Sequence, residues 1–410
     1  MMQQSSLRHR AFFERLGAMR EADKEWPAVS AGLVVLRSLD ARLLDGVEPD
    51  NWRALAAREA VEAIPAHHPV RTSLARLLDL ADGDAPPEPT AIGPHLMAYA
   101  QSLEFNAEWG LASDVYLCLT EIMPADSDAE LVMDAYMRLG YTARMRTEWE
   151  VATTALDRAA RIAAAHGDAP RLLRVRMANA HVALDRGNLP LAEDILAETV
   201  ALSASLDGAV HAEALQGRGL VAVHRREYPT AISFFHQALV RTTNQVARDR
   251  ILLDLGAASM DMGARTVARD ALLILAVTAQ ARNTRWIAVV NLLELAVLER
   301  NELAFEQYRR ELGGETLSPR LAAAFAFYEG QGHAAFGRLE LARGAYDRAC
   351  AIAREHSLNK YLFDAEDALA ALARVPLHSP APAIEVTLPD FLRGVAEDIR
   401  HRREEAYSGT

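Results

Sequence analysis

Residues 212–241 read AEALQGRGLVAVHRREYPTAISFFHQALVR, and this stretch decides the fold. In it Gly219 is followed, after a polar turn, by Tyr228, Ala231 and Phe235. The distance between two packed helices is set by the side chains at their contact, so small residues allow the closest approach. The stretch therefore predicts an antiparallel helix pair in which Gly219 and Ala231 meet and aromatic side chains fill the space beside them.

The same motif recurs along most of the chain. Its alanine returns at intervals of 37 to 40 residues, with one doubled interval of 74 residues. The six alanines are Ala112, Ala152, Ala192, Ala231, Ala268 and Ala342. A small residue stands twelve positions before each, at Ala100, Gly140, Ala180, Gly219, Gly256 and Gly330. A fixed period of this length is typical of helical repeat proteins. The spacing predicts nine helix pairs, over 10–43, 50–82, 93–126, 133–166, 173–206, 212–245, 249–282, 287–320 and 323–356.

This Gly/Ala–aromatic–Ala pattern resembles the tetratricopeptide repeat (TPR) family, in a long-period form similar to the sensor regions of bacterial regulators. Leu139-Gly140 and Leu255-Gly256 match the family's Leu-Gly step, and Pro124 stands where its closing proline belongs. The resemblance implies an all-α fold, a right-handed α-solenoid of about nine antiparallel helix pairs. Armadillo and HEAT repeats have a similar period, but they do not account for this pattern of residues.

Proline-rich stretches suggest how the chain is divided. The predicted segments are N-terminal helix pairs over 1–82, a linker over 83–92, a main superhelix with a capping helix over 93–374, a second linker over 375–388, and an amphipathic helix with a tail over 389–410. The last helix carries an apolar stripe of Leu388, Phe391, Leu392, Val395 and Ile399. We expect this stripe to dock, either on the chain's own solenoid or on a second copy, which would make a homo-oligomer.

Composition excludes several classes of protein. The net charge of −12 argues against a nucleic-acid partner, because phosphate binding needs a basic face. The two cysteines form no CxxC motif, which argues against a zinc site or a disulfide framework. We find no apolar stretch long enough for a membrane span and no signal peptide near the first residue. The sequence therefore predicts a cytoplasmic protein with no membrane partner.

Three short motifs suggest chemistry, and each has a structural explanation that we favour. Gly217-Arg218-Gly219 resembles part of a dinucleotide fingerprint but follows no strand. His67-His68 is a histidine pair without a third ligand for zinc. Asp126, Asp128 and Glu130 read as a solvated turn in which Asp128 begins a helix. We therefore predict no catalytic residue, no metal and no cofactor, and hence a protein that is not an enzyme.

The TPR resemblance implies that the first helix of each pair lines an inner, concave face where a peptide binds. The side chains expected there are Met137, Tyr141, Arg144, Arg174, Met177, His181, Gln216, Leu220, His224 and Arg250. Methionine, tyrosine and arginine are frequent in peptide-binding grooves. The alternative is that these side chains only face water or a neighbouring helix. The Lys and Asn residues of the family's carboxylate clamp are missing at the corresponding positions.

Charge suggests the partner. Residues 138–250 carry a surplus of three positive charges, although the chain as a whole is acidic. A groove containing Arg144, Arg174 and Arg250 would favour a polypeptide with acidic and apolar residues, and His181 and His224 would make its binding pH-dependent. The alternative is that these arginines pair with Asp254, Asp261 and neighbouring glutamates, which would leave no net positive field.

Three functions are compatible with these observations. The first is a scaffold or adaptor that binds a polypeptide segment in the concave groove. The second is a regulatory sensor that responds to a peptide or another ligand. The third, which we do not favour, is an enzyme whose motifs have degenerated. A partner without a small ligand would indicate the first, and a co-purified peptide would indicate the second.

Overall fold

The described part of the chain consists of α-helices joined by short turns. The computed structural model describes residues 8–47, 51–82, 87–124, 126–206, 208–372 and 386–408, and these residues contain no β-strand. Contacts between helices divide the chain into two compact units, Met1–Arg186 and Gly187–Thr410. The structure confirms the all-α solenoid, because the helices pack in sequence within each unit.

The first unit contains helices α1 to α9. Their bounds are α1 Arg10–Ala18, α2 Trp26–Leu43, α3 Asn51–Glu62, α4 Pro69–Ala81, α5 Pro89–Phe105, α6 Trp109–Ile122, α7 Ala129–Met145, α8 Trp149–Ala165 and α9 Ala169–Asp185. We call the odd-numbered helices up to α17, which come first in their pairs, A helices. The even-numbered helices up to α18 are B helices.

The second unit contains helices α10 to α20. Their bounds are α10 Leu189–Ser203, α11 Gly208–His224, α12 Tyr228–Arg241, α13 Gln245–Met262, α14 Arg265–Thr278, α15 Arg282–Leu298, α16 Glu302–Leu312, α17 Pro319–Ala335, α18 Leu339–Glu355, α19 Asn359–Leu372 and α20 Asp390–Ser408. Helix α19 packs on α17 and α18 as a capping helix. The pair α15–α16 is the repeat that lacks the recurring alanine, and it lies within the doubled interval between Ala268 and Ala342.

The turn from A helix to B helix has the same backbone conformation in seven pairs. One left-handed residue stands two positions before each B helix, at Ala107, Thr147, Gly187, Arg226, Gly263, Arg300 and Gly337. Successive positions are 40, 40, 39, 37, 37 and 37 residues apart. Four of the seven are not glycine, and a left-handed backbone is unfavourable for other L-residues. The residue type therefore does not fix this turn.

Close contact inside the pairs depends on glycines of the A helices. A β-carbon at Gly219 would lie 2.4 Å from Cε1 of Phe235, and one at Gly330 would lie 2.6 Å from the ring of Tyr346. The three atoms nearest a β-carbon at Gly219 all belong to Phe235, four residues after Ala231, and the contact of Gly219 with Ala231 stays a prediction. Ala231 is nevertheless fully buried between helices.

The proline-rich segment 83–92 lies inside the first unit. Helix α5 already begins at Pro89, and α4 and α5 on either side of the segment pack on each other. The first helix also departs from simple succession, because α1 packs on α6 as well as on its neighbour α2. A separate N-terminal domain over 1–82 stays a prediction.

The C-terminal helix α20 docks on the second unit, on the surface of the B helices α12 and α14. Leu392, Val395 and Ile399 of its predicted stripe are buried there, and Leu388 is half-buried. Phe391 was wrongly assigned to this stripe, since 61% of its surface is exposed. Phe391 is the second residue of α20, and its side chain points away from the surface on which Leu392, Val395 and Ile399 are buried.

Candidate functional site

Two A helices of the second unit carry a network of polar side chains, which we call the A-face network: Gln216 of α11 with Arg250 and Asp254 of α13. The Gln216 amide nitrogen donates to the Asp254 carboxylate, and Arg250 Nε donates to Gln216 Oε1 over 3.0 Å. Gln216 is buried, whereas Arg250 is exposed. The network therefore runs from the interior of the α11–α13 contact to solvent.

Burial raises the pKa of Asp254 to about 6, although the hydrogen bond from Gln216 and the charge of Arg250 act in the opposite direction. A carboxyl group with this pKa changes its charge close to neutral pH. When protonated it can donate a hydrogen bond, and when ionised it only accepts them. The A-face network can therefore present two different hydrogen-bonding patterns to a ligand.

This shift has a consequence for stability. Between pH 3.8 and about 6 the folded chain keeps a proton on Asp254 that the unfolded chain has released, so stability falls as the pH rises through this window. Asp254→Asn keeps the shape and the bond from Gln216 but removes the charge. We expect the variant to be more stable than wild type at pH 8 by about 1–3 kcal/mol and nearly equal to it at pH 4. Urea unfolding at both values measures the difference.

The exposed Asp347 of α18 offers the matched control for this titration. Asp347→Asn should leave the difference in stability between pH 4 and pH 8 as it is in wild type. An Asp254→Asn variant that follows the wild-type pH dependence would show that this carboxyl group titrates at its ordinary value.

The other predicted binding residues of the second unit lie beside this network but differ in exposure. Leu220 is half-buried and packs on the apolar core of α11 to α14, as does Met260 of α13, which is not among the predicted residues. His224, the last residue of α11, is exposed. The apolar side chains therefore offer only their edges to a ligand, and the polar ones offer most of the accessible surface.

In the first unit the predicted residues Tyr141 and Arg144 belong to one cluster on α7. The ring of Tyr141 meets Trp109 of α6 edge-on at 5.9 Å, and the guanidinium of Arg144 lies 5.3 Å from the centre of the Tyr141 ring. Arg144 also pairs with Asp185 of α9 at 3.2 Å. Tyr141 stays 36% exposed, so the cluster offers an aromatic face with a fixed cation beside it.

The remaining predicted residues of this unit contribute less surface. Met177 is buried, which corrects its assignment to a binding surface, and Met137 is half-buried against the core of α7 to α9. His181 and Arg174 are half-buried, and the charge of Arg174 acts on Asp134 and Asp168. The repeat spacing selected Met177 as an accessible position, but the more accessible residue is its neighbour Ala178, which is half-buried.

The three arginines of the predicted basic groove thus lie near carboxylates of the chain itself. Arg144 pairs with Asp185, and the charges of Arg250 and Arg174 act on Asp254 and on Asp134 with Asp168. The charge of Arg250 acts on Asp254, one of the acids that the alternative named, while Nε of Arg250 donates to Gln216. An acidic ligand would have to compete with these internal carboxylates.

A set of ionisable residues further along the A helices was not predicted as functional. Glu294 of α15 accepts a hydrogen bond from the hydroxyl of Tyr328 of α17, and the charges of Asp261 and Lys360 act on it. Burial raises the pKa of Glu294, and the bond from Tyr328 opposes that rise. The sequence did contain a signal for this set, because Glu294 stands at a position where the other repeats have a small residue.

The motifs that suggested other chemistry have structural roles. His68 caps α4 by accepting from the Val70 amide, and its Nε2 lies 3.0 Å from Glu25. Asp128 caps α7 by accepting from the Leu131 amide, as expected. Gly217 and Gly219 lie inside α11, where they allow Leu196 and Phe235 to approach. Among the described residues no group of histidine, cysteine and carboxylate side chains has the geometry of a metal site.

Comparisons with known proteins concern the fold only. No family model and no curated protein matches the chain. Among solved structures, the apo form of the quorum sensor NprR from B. thuringiensis is 12% identical, with a TM-score of 0.45 over 80% of this chain and 99% of that one. A circular tandem repeat protein with novel repeat topology is 13% identical, with a TM-score of 0.18 over 98% of this chain and 97% of that one. Over the described residues, no helix is long and apolar enough to cross a bilayer.

Proposed function

We propose that this chain is a non-enzymatic scaffold that binds a polypeptide segment on the A helices. The observation that carries the proposal is the A-face network, in which Gln216, Arg250 and Asp254 of two neighbouring A helices hold one another in place. An amide has two donor hydrogens and two acceptor lone pairs, and the network uses one of each on Gln216. Gln216 itself is buried, so the groups left for an extended peptide are the other N–H donors of the exposed Arg250.

The surroundings of the network support the chemistry of the segment. The exposed Arg250 would pair with a carboxylate of the ligand, and the edges of Leu220 and Met260 would contact its apolar side chains. In the first unit, the Tyr141–Arg144 cluster would hold an acidic or aromatic residue in the same manner. We therefore propose a ligand with acidic and apolar residues.

The position of α20 on the B helices supports the choice of the A helices as the binding face. In the second unit, α20 already occupies the surface of the B helices α12 and α14. The A helices α11 and α13 of the same pairs carry exposed polar side chains, among them His224 and Arg250. A ligand that binds these two pairs without displacing α20 has the A helices as its site.

A library of random twelve-residue peptides displayed on phage, panned on the immobilised full-length protein, tests the proposal. A selected peptide is synthesised with a fluorophore, and its affinity is measured by anisotropy. We expect Arg250→Ala to weaken binding about 10- to 100-fold, because a charge-assisted hydrogen bond is lost. Arg241→Ala is the matched control, since Arg241 is also exposed but belongs to the B helix α12.

The pH dependence of the same titration is a second readout. Protonation of Asp254 near pH 6 removes the carboxylate that competes for Arg250, so a peptide with acidic residues should bind more tightly at pH 5.5 than at pH 8. Asp254→Asn should lose the part of this difference that comes from Asp254. Selected peptides that bind Arg250→Ala as well as wild type would place the interface elsewhere.

A regulatory sensor is the second candidate, and one contact favours it. Helix α13 carries Arg250 and Asp254, and its C-terminal cap Gly263 accepts a hydrogen bond from the Val386 amide, just before α20. A ligand that shifts α13 would therefore also shift the attachment of α20. Hydrogen exchange of residues 386–408 with and without the selected peptide separates the two candidates, since a scaffold would leave that exchange unchanged.

A further inference from the structure

A small cavity lies in the first unit, where the B helices α2, α4 and α6 begin and the A helix α5 ends, and we call it the α2/α5 cavity. Its volume is about 330 Å³, part of which is open to solvent. Buried apolar side chains, among them Val29, Leu103 and Leu111, form much of its wall. Apolar walls with a few polar groups are typical of sites for small ligands, and a volume near the lower end of their range suits a small group. The polar lining residues are Glu25, His68, Asn106 and Glu108.

The two carboxylates of the α2/α5 cavity are only partly neutralised. Glu25 Oε2 lies 3.0 Å from His68 Nε2, and Glu108 Oε1 accepts from Arg15 over 2.8 Å. His68 Nδ1 accepts from the Val70 amide, so Nε2 carries the proton and the ring is neutral. Arg15 is then the one cation in these contacts, against two carboxylates, and each carboxylate keeps a second oxygen outside the two bonds. The cavity therefore favours a ligand that is positively charged and donates hydrogen bonds.

A buried hydroxyl group in the same wall lacks a partner. Tyr99 of α5 lines the cavity and is 1% exposed, and no hydrogen bond joins its hydroxyl to a described residue. The hydroxyl lies against Gly32, where a β-carbon would be 2.2 Å away, one helical turn after the lining residues Ala28 and Val29 of α2. A buried hydroxyl without a hydrogen bond is unfavourable for the fold. A ligand in the cavity can supply the missing bond.

We propose that the α2/α5 cavity binds a primary ammonium group on a short alkyl stem, as in a small alkylamine or a lysine side chain. An ammonium group has three N–H donors and no acceptor. The acceptors available to it are the second oxygens of Glu25 and Glu108 and the hydroxyl of Tyr99, while the stem contacts Leu103 and Leu111. This inference is independent of the A-face network and its ligand, which belong to the second unit.

Ligands of one length and different head groups test the proposal. Butylamine, butanol and butyrate are titrated separately into the full-length protein, and binding is followed by saturation-transfer NMR of the ligand. We expect butylamine to bind at least about tenfold more tightly than the other two, because its head group alone carries the charge that the carboxylates lack. No saturation transfer to butylamine, or equal affinity for all three, would overturn the proposal.

A carboxylate variant locates the bound amine. Glu25→Gln keeps the shape of the side chain but removes its charge, and it should weaken butylamine binding about tenfold. Glu21→Gln is the matched control, since Glu21 is an exposed glutamate just before α2 that does not line the cavity. Butylamine that binds Glu25→Gln and Glu21→Gln as tightly as wild type occupies another site, and the proposal is then wrong.

Tyr99→Phe separates a role in binding from a role in the fold. The change removes only the buried hydroxyl, so without amine the chain should melt at the wild-type temperature or above it, while its affinity for butylamine should fall severalfold. A variant that melts lower and binds butylamine as well as wild type would show that the hydroxyl serves the fold and faces no ligand.

The source of the ammonium group is read from one further titration. Nα-acetyl-lysine amide carries the same group on a stem of four carbons but is attached to a backbone. If it binds as tightly as butylamine and loses affinity in Glu25→Gln, the cavity takes a lysine side chain of a polypeptide. If only butylamine binds, the ligand is a free amine.

Discussion

Gly219→Ala is expected to lower the free energy of unfolding by about 1–3 kcal/mol. An alanine is normally the better residue inside a helix, by about 1 kcal/mol. Here its β-carbon would lie 2.4 Å from Cε1 of Phe235, a ring with no exposed surface, so the two helices must move apart. Urea unfolding followed by circular dichroism measures the change.

Gly344→Ala is the matched control. Gly344 lies inside the B helix α18, and the nearest atom to an added β-carbon is a terminal nitrogen of Arg348 at 3.9 Å. This variant should be as stable as wild type or more stable. The second-site change Phe235→Leu should relieve part of the loss in Gly219→Ala, because it removes the ring atoms in conflict. A stable Gly219→Ala chain without such relief would show that the helices of this pair are further apart.

Asp40→Ala is expected to have a comparable effect on the first unit, a loss of about 3 kcal/mol. Asp40 is 5% exposed and lies 2.9 Å from His9 Nε2, which is also buried. The thiol of Cys118 on α6 lies 3.6 Å from the other carboxylate oxygen. Asp40 belongs to α2, so removal of its carboxylate leaves both buried groups without this partner, and α1 should separate from α2. Hydrogen exchange of residues 8–18 and urea unfolding measure the two effects.

Asp45→Ala offers a control from the same neighbourhood. Both Asp40 and Asp45 interact with Arg8, but the side chain of Asp45 is 53% exposed. Ion pairs in solvent contribute at most about 1 kcal/mol, so Asp45→Ala should change neither stability nor exchange by a large amount. Equal losses in the two variants would mean that Arg8, and not the buried His9, is the important partner.

The helix boundaries were accessible to sequence analysis because the repeat fixes them locally. In six pairs the B helix begins three residues before the recurring alanine, at Trp109, Trp149, Leu189, Tyr228, Arg265 and Leu339. A residue with a left-handed backbone stands two positions before the start of each of these helices. Period, turn and small residue are all set within about 40 residues of chain, so they leave a pattern in the sequence.

The partners of individual side chains were not accessible in this way. The sequence did not show that the ring of Phe235 lies nearest to Gly219, because the crossing of two helices decides which turns oppose each other. The partners of Arg144 and Arg250 lie on neighbouring A helices, at Asp185 and Gln216. Such pairs depend on how successive repeats rotate against each other. The periodicity of a single repeat carries no record of that rotation.

The long separation in sequence between α20 and the helices on which it docks has a consequence for synthesis on the ribosome. Arg403 lies 133 residues after its partner Asp270 on α14, and Asp398 lies 162 residues after its partner His236 on α12. At about 5–20 residues per second, this surface of α12 and α14 is finished roughly 6–25 s before the helix that covers it. During that interval the nascent chain presents an apolar surface on which the carboxylate of Asp270 still lacks Arg403.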